Sequence, residues 1–254
     1  MKFRILGCGT STGVPKIGND WGLCDPDEPR NYRLRTSILV ESGKERILVD
    51  CGPDLRQQLL SSEVARLDGV IVTHAHGDHC HGIDELRPVA QEIGRPVPLH
   101  ARAQVLQELE DRFSYAFAQS QLYRPIVEAR AVGEELGFGK ARVRFVDQPH
   151  GGTVSLGLRF DEDHFSVAYA VDFSELTIDM AALYQGVDVW IADCLTRRPH
   201  PTHAHLDGLL GWARELGVGQ LCLVHMGNGL DYRSLIAELP DWAAPAYDGL
   251  EIAA

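Results

Sequence analysis

The stretch GVIVTHAHGDHCHG, residues 69–82, limits what this chain can fold into more than any other. Its apolar opening reads as a buried strand, and that strand runs straight into four histidines and an aspartate. Ionisable groups are costly to bury unless they are paired or bound to a metal, so such a strand needs other segments to arrive at the same end. In extended chain, residues two apart face the same way, so His74 and His76 can address one ion together. The turn after Gly77 can then redirect Asp78 and His79 towards a second. Imidazole and carboxylate suit zinc, manganese or iron and need no sulfur. One isolated histidine at a strand end is usually a helix cap or a solvated group; a run of the form HxHxDH is a different matter.

A metal site built this way predicts further strands ending in histidine or aspartate. ARVRFVDQPH ends at His150, HFSVAYAVD at Asp172 and QLCLVH at His225. Taken singly each is weak, and Asp172, ahead of SEL, reads equally well as a helix cap. Together with the motif they make seven positions, enough for two metals that share one carboxylate.

The rest of the chain supplies the frame. Short apolar, β-branched runs recur: FRIL, TSILVES, ERILVD, GVIVTH, PVPLH, ARVRFVD, VSLGLRF, HFSVAYAVD, VDVWIAD, QLCLVH and YDGLEIA. Between them DLRQQLLSSEVARL, ARAQVLQELEDRF, SELTIDMAALYQ, HLDGLLGWARELG and DYRSLIAELP carry helical spacing. The expectation is one α/β domain over residues 1–254 with its strands in mixed sheets. Residues 84–125, mostly helical, are expected to form a cap or a partner-facing surface. The apolar patch at the N-terminus is too short for a signal-peptide core or a membrane span, so the expected compartment is the cytoplasm, with no membrane partner. Six cysteines without CxxC spacing fit reduced thiols in the core. A formal charge of −12, with no Lys/Arg stripe, disfavours long nucleic acid as a partner. It leaves room for a small anion, because a divalent metal reverses the local field. GCGTSTG is GxGxxxG rather than a dinucleotide fingerprint, and no helix with a ribose-binding acid follows.

At this point the chain resembles the metallo-β-lactamase superfamily, whose members carry HxHxDH followed by separate His, Asp and His positions. Within it the chain is similar to the PhnP-like branch of phosphoribosyl cyclic phosphodiesterases, and to the related tRNase Z enzymes. GCGTSTGVP resembles their first loop, GIDELRP the segment after the motif, THAHLDGLL the segment before the last histidine, and AYDGLEI the final strand. The resemblance implies a four-layer αββα sandwich, two mixed β-sheets flanked by helices. It also implies that His74, His76 and His150 bind one divalent metal, that Asp78, His79 and His225 bind the other, and that Asp172 bridges them, the ions being zinc or manganese. Asp50, in ILVDCG, matches an upstream aspartate behind the ligands.

The same branch places a histidine 22 positions before the last metal histidine, which selects His203 as the group that stabilises or protonates the leaving oxygen. Asp78 joins it in the expected catalytic set, and His205 is either its pocket neighbour or a polar residue opening a helix. Arg33 and Arg35 read as solvated surface charges or, less readily, as phosphate contacts. The branch's cysteine-rich zinc loop is missing: Cys24 stands alone, Asn228 replaces a ligand, and Trp21, Asp25 and Arg30 are candidates to hold the loop instead. The implied reaction is attack of a metal-held hydroxide on a small phosphodiester, cyclic for preference, such as phosphoribosyl 1,2-cyclic phosphate or a 2′,3′-cyclic nucleotide. The alternatives are tRNA 3′ processing and thioester hydrolysis of the glyoxalase II kind. A homodimer is implied by the resemblance alone.

Overall fold

The computed structural model describes residues 1–119 and 124–253. In chain order its strands are β1 (Lys2–Gly7), β2 (Ser37–Ser42), β3 (Glu45–Val49), β4 (Gly69–Ile71), β5 (Val97–Ala101), β6 (Val127–Ala131), β7 (Glu135–Phe138), β8 (Ala141–His150), β9 (Thr153–Glu162), β10 (Phe165–Ala170), β11 (Val189–Asp193), β12 (Gln220–Val224), β13 (Ala243–Pro245) and β14 (Glu251–Ala253). The helices are α1 (Leu55–Ser61), α2 (Gly77–Cys80), α3 (Leu86–Ile93), α4 (Ala103–Arg112), α5 (Ser114–Phe117), α6 (Ile178–Tyr184), α7 (Leu206–Leu216) and α8 (Tyr232–Glu238). Among the described residues none is long and apolar enough to cross a membrane.

The strands form two seven-stranded sheets, ordered β14-β1-β2-β3-β4-β5-β6 and β13-β12-β11-β10-β9-β8-β7. Each sheet is antiparallel in one half and parallel in the other. In the first, pairing is antiparallel from β14 to β3 and parallel from β3 to β6. In the second, it is parallel from β13 to β10 and antiparallel from β10 to β7.

Period-2 alternation decides which side chains meet. In β2 and β3, Ile38, Val40, Ile47 and Val49 join the core between the sheets, where Phe3 and Phe160 meet edge to face at 5.3 Å. The intervening Leu39 and Leu48 join a second cluster under Leu55 of α1, Leu86 of α3 and Leu109 of α4. Met180 and Tyr184 of α6, Leu209 of α7 and Leu235 of α8 belong to the core of the second sheet. Two mixed β-sheets flanked by helices give the four-layer αββα order, as expected.

All eleven apolar runs become strands, and three strands escape the sequence reading. VEARA (β6) and ELGF (β7) are edge strands with mostly exposed or half-exposed residues, so they lack an apolar run. AAP (β13) is an edge strand three residues long ending in proline. Nor is 84–125 a cap. Its helices α3, α4 and α5 cover the first sheet and its β5 continues that sheet, while residues 120–123 lie outside the described part.

Candidate metal centre

Strands that run in one sense deliver their carboxyl ends to one edge. Asp50 follows β3, His74 and His76 follow β4, His150 closes β8, Asp172 follows β10, Asp193 closes β11 and His225 follows β12. Asp50, Asp172 and His225 adopt φ of +63°, +56° and +55°, left-handed values that cost a non-glycine residue about 1–2 kcal/mol each. Strain of this kind persists where surrounding structure over-determines it, which is common at functional sites. The β8–β9 connection is a two-residue turn through Gly151 and Gly152, both at positive φ, that seats His150 at its mouth. Gly52 is required for close approach: a Cβ there would lie 2.0 Å from the carbonyl oxygen of Asp78.

Asp172, 2% exposed, is at the centre. Its Oδ2 lies 3.2 Å from His74 Nε2, 3.3 Å from His150 Nε2 and 3.4 Å from His79 Nε2. Its Oδ1 lies 3.3 Å from His225 Nδ1. His76 Nδ1 is 2.9 Å from His74 Nε2 and 3.3 Å from His150 Nε2, and Asp78 Oδ2 is 3.2 Å from His79 Nε2. Two four-residue ligand sets result, His74, His76, His150 and Asp172 on one side and Asp78, His79, Asp172 and His225 on the other, and Asp172 also forms a smaller set with Asp193 and His203.

These residues fit divalent metal. Donors arranged tetrahedrally at zinc–nitrogen distances of about 2.0–2.1 Å stand roughly 3.3 Å apart, close to the spacings above. His79 Nε2 and Asp172 Oδ1 are buried without a hydrogen-bond partner, the condition of atoms that await a cation. The backing hydrogen bonds select the right tautomers. Thr73 Oγ1 donates to Asp50 Oδ2 at 3.0 Å and accepts from His74 Nδ1 at 3.1 Å, while His79 Nδ1 donates to Asp50 Oδ2 at 2.7 Å. His150 Nδ1 donates to the Thr202 carbonyl at 2.8 Å. Thr36 gives its proton to the Gly9 carbonyl and so accepts from His225 Nδ1 at 3.2 Å. In His74, His79 and His150 the opposite nitrogen, Nε2, faces Asp172 Oδ2 with a lone pair free for a cation.

The electrostatics agree. Burial, with His74 nearby, lowers the His76 pKa, and burial takes His150 down to about 4, so both rings stay neutral, the ligand form. Burial alone would raise Asp172 and Asp78, yet the surrounding imidazoles, His225 and His79 for Asp172 and His79 for Asp78, hold both well below the usual carboxylate range. Burial likewise opposes charge on His79, but Asp50, Asp172 and Asp78 outweigh it and raise its pKa. The site therefore favours positive charge at its centre.

His203 lies beside His150 and stacks on His225 at 5.2 Å, on the wall of a 200 Å³ cleft over the ligands. Its Nδ1 donates to Asp193 Oδ2 at 2.8 Å. Burial would lower the His203 pKa; the hydrogen bond and charge of Asp193 overcome that and raise it. Asp193 escaped the sequence reading although VDVWIAD ends in it, the signal that had singled out Asp172. His205 is not in the cleft. It opens α7, where a Cβ on Gly208 would meet its ring at 2.8 Å, so it is the polar residue at a helix start.

Two further expectations need correction. Arg33 is 1% exposed, neither solvated nor facing the cleft: its guanidinium donates to the carbonyls of Leu230 and Gly227 and to Asn31 Oδ1. Arg35 is half-buried, bonded to Asp54 and to the carbonyl of Ser11. Of the residues suggested for the loop after Val14, Asp25 and Arg30 do help to hold it, joined by Asn31, Glu28, Asp231 and Arg233. Asn31 Nδ2 bonds Asp231 and the Asp25 carbonyl, and Glu28 pairs with Arg30 and Arg233. The Trp21 indole N–H donates to Asn19 Oδ1, and its carbonyl accepts the Cys24 N–H. Among the described residues, metal-competent sets occur only at the strand-end cluster, not in this loop.

Carboxylates and imidazoles gathered on one edge of an αββα sandwich define a metal-dependent hydrolase of the metallo-β-lactamase fold. The comparisons with known proteins concur, and the chain belongs to the β-lactamase superfamily: residues 45–226 match the family model described as beta-lactamase superfamily domain. Its structure is similar to that of a diphosphatase of the PhnP family, at 32% identity and a TM-score of 0.90 over 99% of this chain and 96% of that one. It is also 30% identical over 258 residues to an octanoyltransferase of Porphyromonas gingivalis, covering 99% of this chain and 51% of that protein. A ribonuclease Z of Pseudomonas putida is 33% identical over 135 residues, 52% of this chain and 38% of that one. The chain thus spans about half the length, or less, of these two curated relatives.

Proposed function

We propose that the protein hydrolyses small phosphodiesters, cyclic ones foremost, using two divalent cations, zinc or manganese. The observation that carries this reading is Asp172, which belongs to both ligand sets, its Oδ2 within 3.4 Å of His74, His150 and His79 and its Oδ1 3.3 Å from His225, beneath a cleft that also holds His203. His74, His76 and His150 would hold one ion, Asp78, His79 and His225 the other, with Asp172 common to both. Ions bound there would polarise a phosphoryl oxygen and make water a competent nucleophile near neutral pH.

The chain's own residues do the rest. The ligand carboxylates and imidazoles would fix where the cations sit, and so where a phosphoryl group can bind. His203, kept protonated by Asp193, donates its proton to the departing oxygen as the ester bond breaks. His74, His79, His150, Asp172 and His225 are buried, while exposed His76 and half-buried Asp78 stand at the open face of the cleft. The similarity to a PhnP-family diphosphatase supports phosphoryl chemistry and extends the candidates to phosphoanhydride-linked diesters. The ribonuclease Z relatives favour an RNA substrate, but a formal charge of −12 works against gripping a long polyanion.

The test is an activity panel on metal-reconstituted protein. It comprises 2′,3′-cyclic nucleotides, a phosphoribosyl cyclic phosphate, a linear aryl diester, a dinucleoside diphosphate, a thioester and a precursor tRNA. Turnover of the phosphorus esters with little of the last two is expected. Preferential thioester or tRNA cleavage would overturn the proposal.

A further inference from the structure

His150 and Gly151, which line the cleft over the ligands, also line a second lobe of 510 Å³, larger than the 200 Å³ over the ligands themselves. The lobe runs between the β8–β9 turn and the segment that leads to His203, and its walls include Pro149, Gly152, Thr153, Val154, Ser174 and Pro201. None of these carries a charge. The charged neighbour, Asp147, is neutralised by Arg102 at 2.7 Å. Val154 stands 48% exposed, an apolar side chain with no internal reason to face out, and Gly152 has no atom within 4 Å of where a Cβ would sit.

We propose that this lobe seats the leaving-group side of the substrate, and that it selects an uncharged, ring-sized substituent such as a sugar or an aryl group. The direction follows from chain order. Pro201 walls the lobe, Thr202 holds His150 through its carbonyl, and His203 stands over the ligands, so three consecutive residues span the junction. A group whose oxygen takes its proton from His203 leaves across Thr202 into the lobe. A neutral lining then favours a neutral alcohol over a second phosphate.

This inference rests on the phosphodiesterase reading, and the test separates the two. Val154→Trp and, separately, Ser174→Phe fill the lobe. The substrates are methyl p-nitrophenyl phosphate and phenyl p-nitrophenyl phosphate, which share one leaving group, and the probe of the ligand end is competitive inhibition by inorganic phosphate. Either variant is expected to raise KM about tenfold, by the same factor for both diesters, with phosphate inhibition unchanged. An unchanged KM in both variants, or a rise confined to the phenyl ester, would overturn the assignment, as would a parallel loss of phosphate inhibition. If the unsubstituted protein turned over neither diester, the phosphodiesterase reading itself would fall.

Discussion

Asp50→Asn is the most informative single substitution, because Asp50 touches no proposed ligand position of the substrate yet sets the protons on two ligand rings. Its Oδ1 accepts the Thr73 N–H at 2.8 Å, and its Oδ2 accepts from Thr73 Oγ1 at 3.0 Å and from His79 Nδ1 at 2.7 Å. Asparagine keeps the volume and can keep the Thr73 N–H bond through its oxygen. Its NH2 then faces His79 Nδ1, and the ring must give up its proton there and carry it on Nε2, where it blocks coordination. Thr73 Oγ1 can accept from the new amide and still accept from His74 Nδ1, so the His74 side is spared. Losing a partner behind a metal ligand costs about 10–100-fold in affinity, roughly 1.4–2.7 kcal/mol. Calorimetric zinc titration of the metal-stripped variant should show one weakened step, that of Asp78, His79 and His225, and one within about twofold of the unsubstituted protein. Equal weakening of both steps, or of neither, would refute the tautomer argument.

Other outcomes follow from the same geometry. His203→Ala should lose roughly 10²–10⁴-fold in kcat while retaining its metals; metal loss would make His203 a ligand. Asp193→Asn removes the charge that raises the His203 pKa, so the alkaline limb of the kcat profile, where the protonated ring is lost, should move to lower pH at unchanged metal content. An unmoved limb would exclude a positioning role for Asp193. In Gly52→Ala the Cβ would collide with the Asp78 backbone at 2.0 Å, costing about 2–3 kcal/mol of stability and weakening the metal step that uses Asp78; normal metal titration would show that the backbone there yields. Asp231 caps α8 through Ser234 N–H and binds Asn31 and the Asp25 N–H, so Asp231→Ala should cost about 3 kcal/mol in denaturant unfolding. Although burial opposes it, those bonds lower the Asp231 pKa to about 2. Its contribution is therefore complete above pH ~4 and fades as the pH falls towards about 2, so acid unfolding curves of variant and parent should converge there.

Most of the architecture was legible because strand periodicity and ligand type are local properties. HxHxDH and three other strand ends named seven residues that the fold brings within reach of one another. What the sequence hid is of two kinds. Edge strands such as VEARA pack on too little apolar surface to leave a run, and Arg33 looks like any surface cation until the carbonyls of Gly227 and Leu230 enclose it. His205 and His203, two apart and alike in composition, separate only when one faces Asp193 and the other turns onto α7.

Residue order alone, then, determined which chemical groups stand at the ends of which strands, since alternation and turn chemistry act over a few neighbours. Tertiary structure decided which of those groups stand together in sets that could hold a metal ion. Thr36 and His225, 189 positions apart, must meet at 3.2 Å, and so must Asp50 and His79 at 2.7 Å. Hydrogen-bond direction fixes the proton on an imidazole, and only the packed sheets supply that direction.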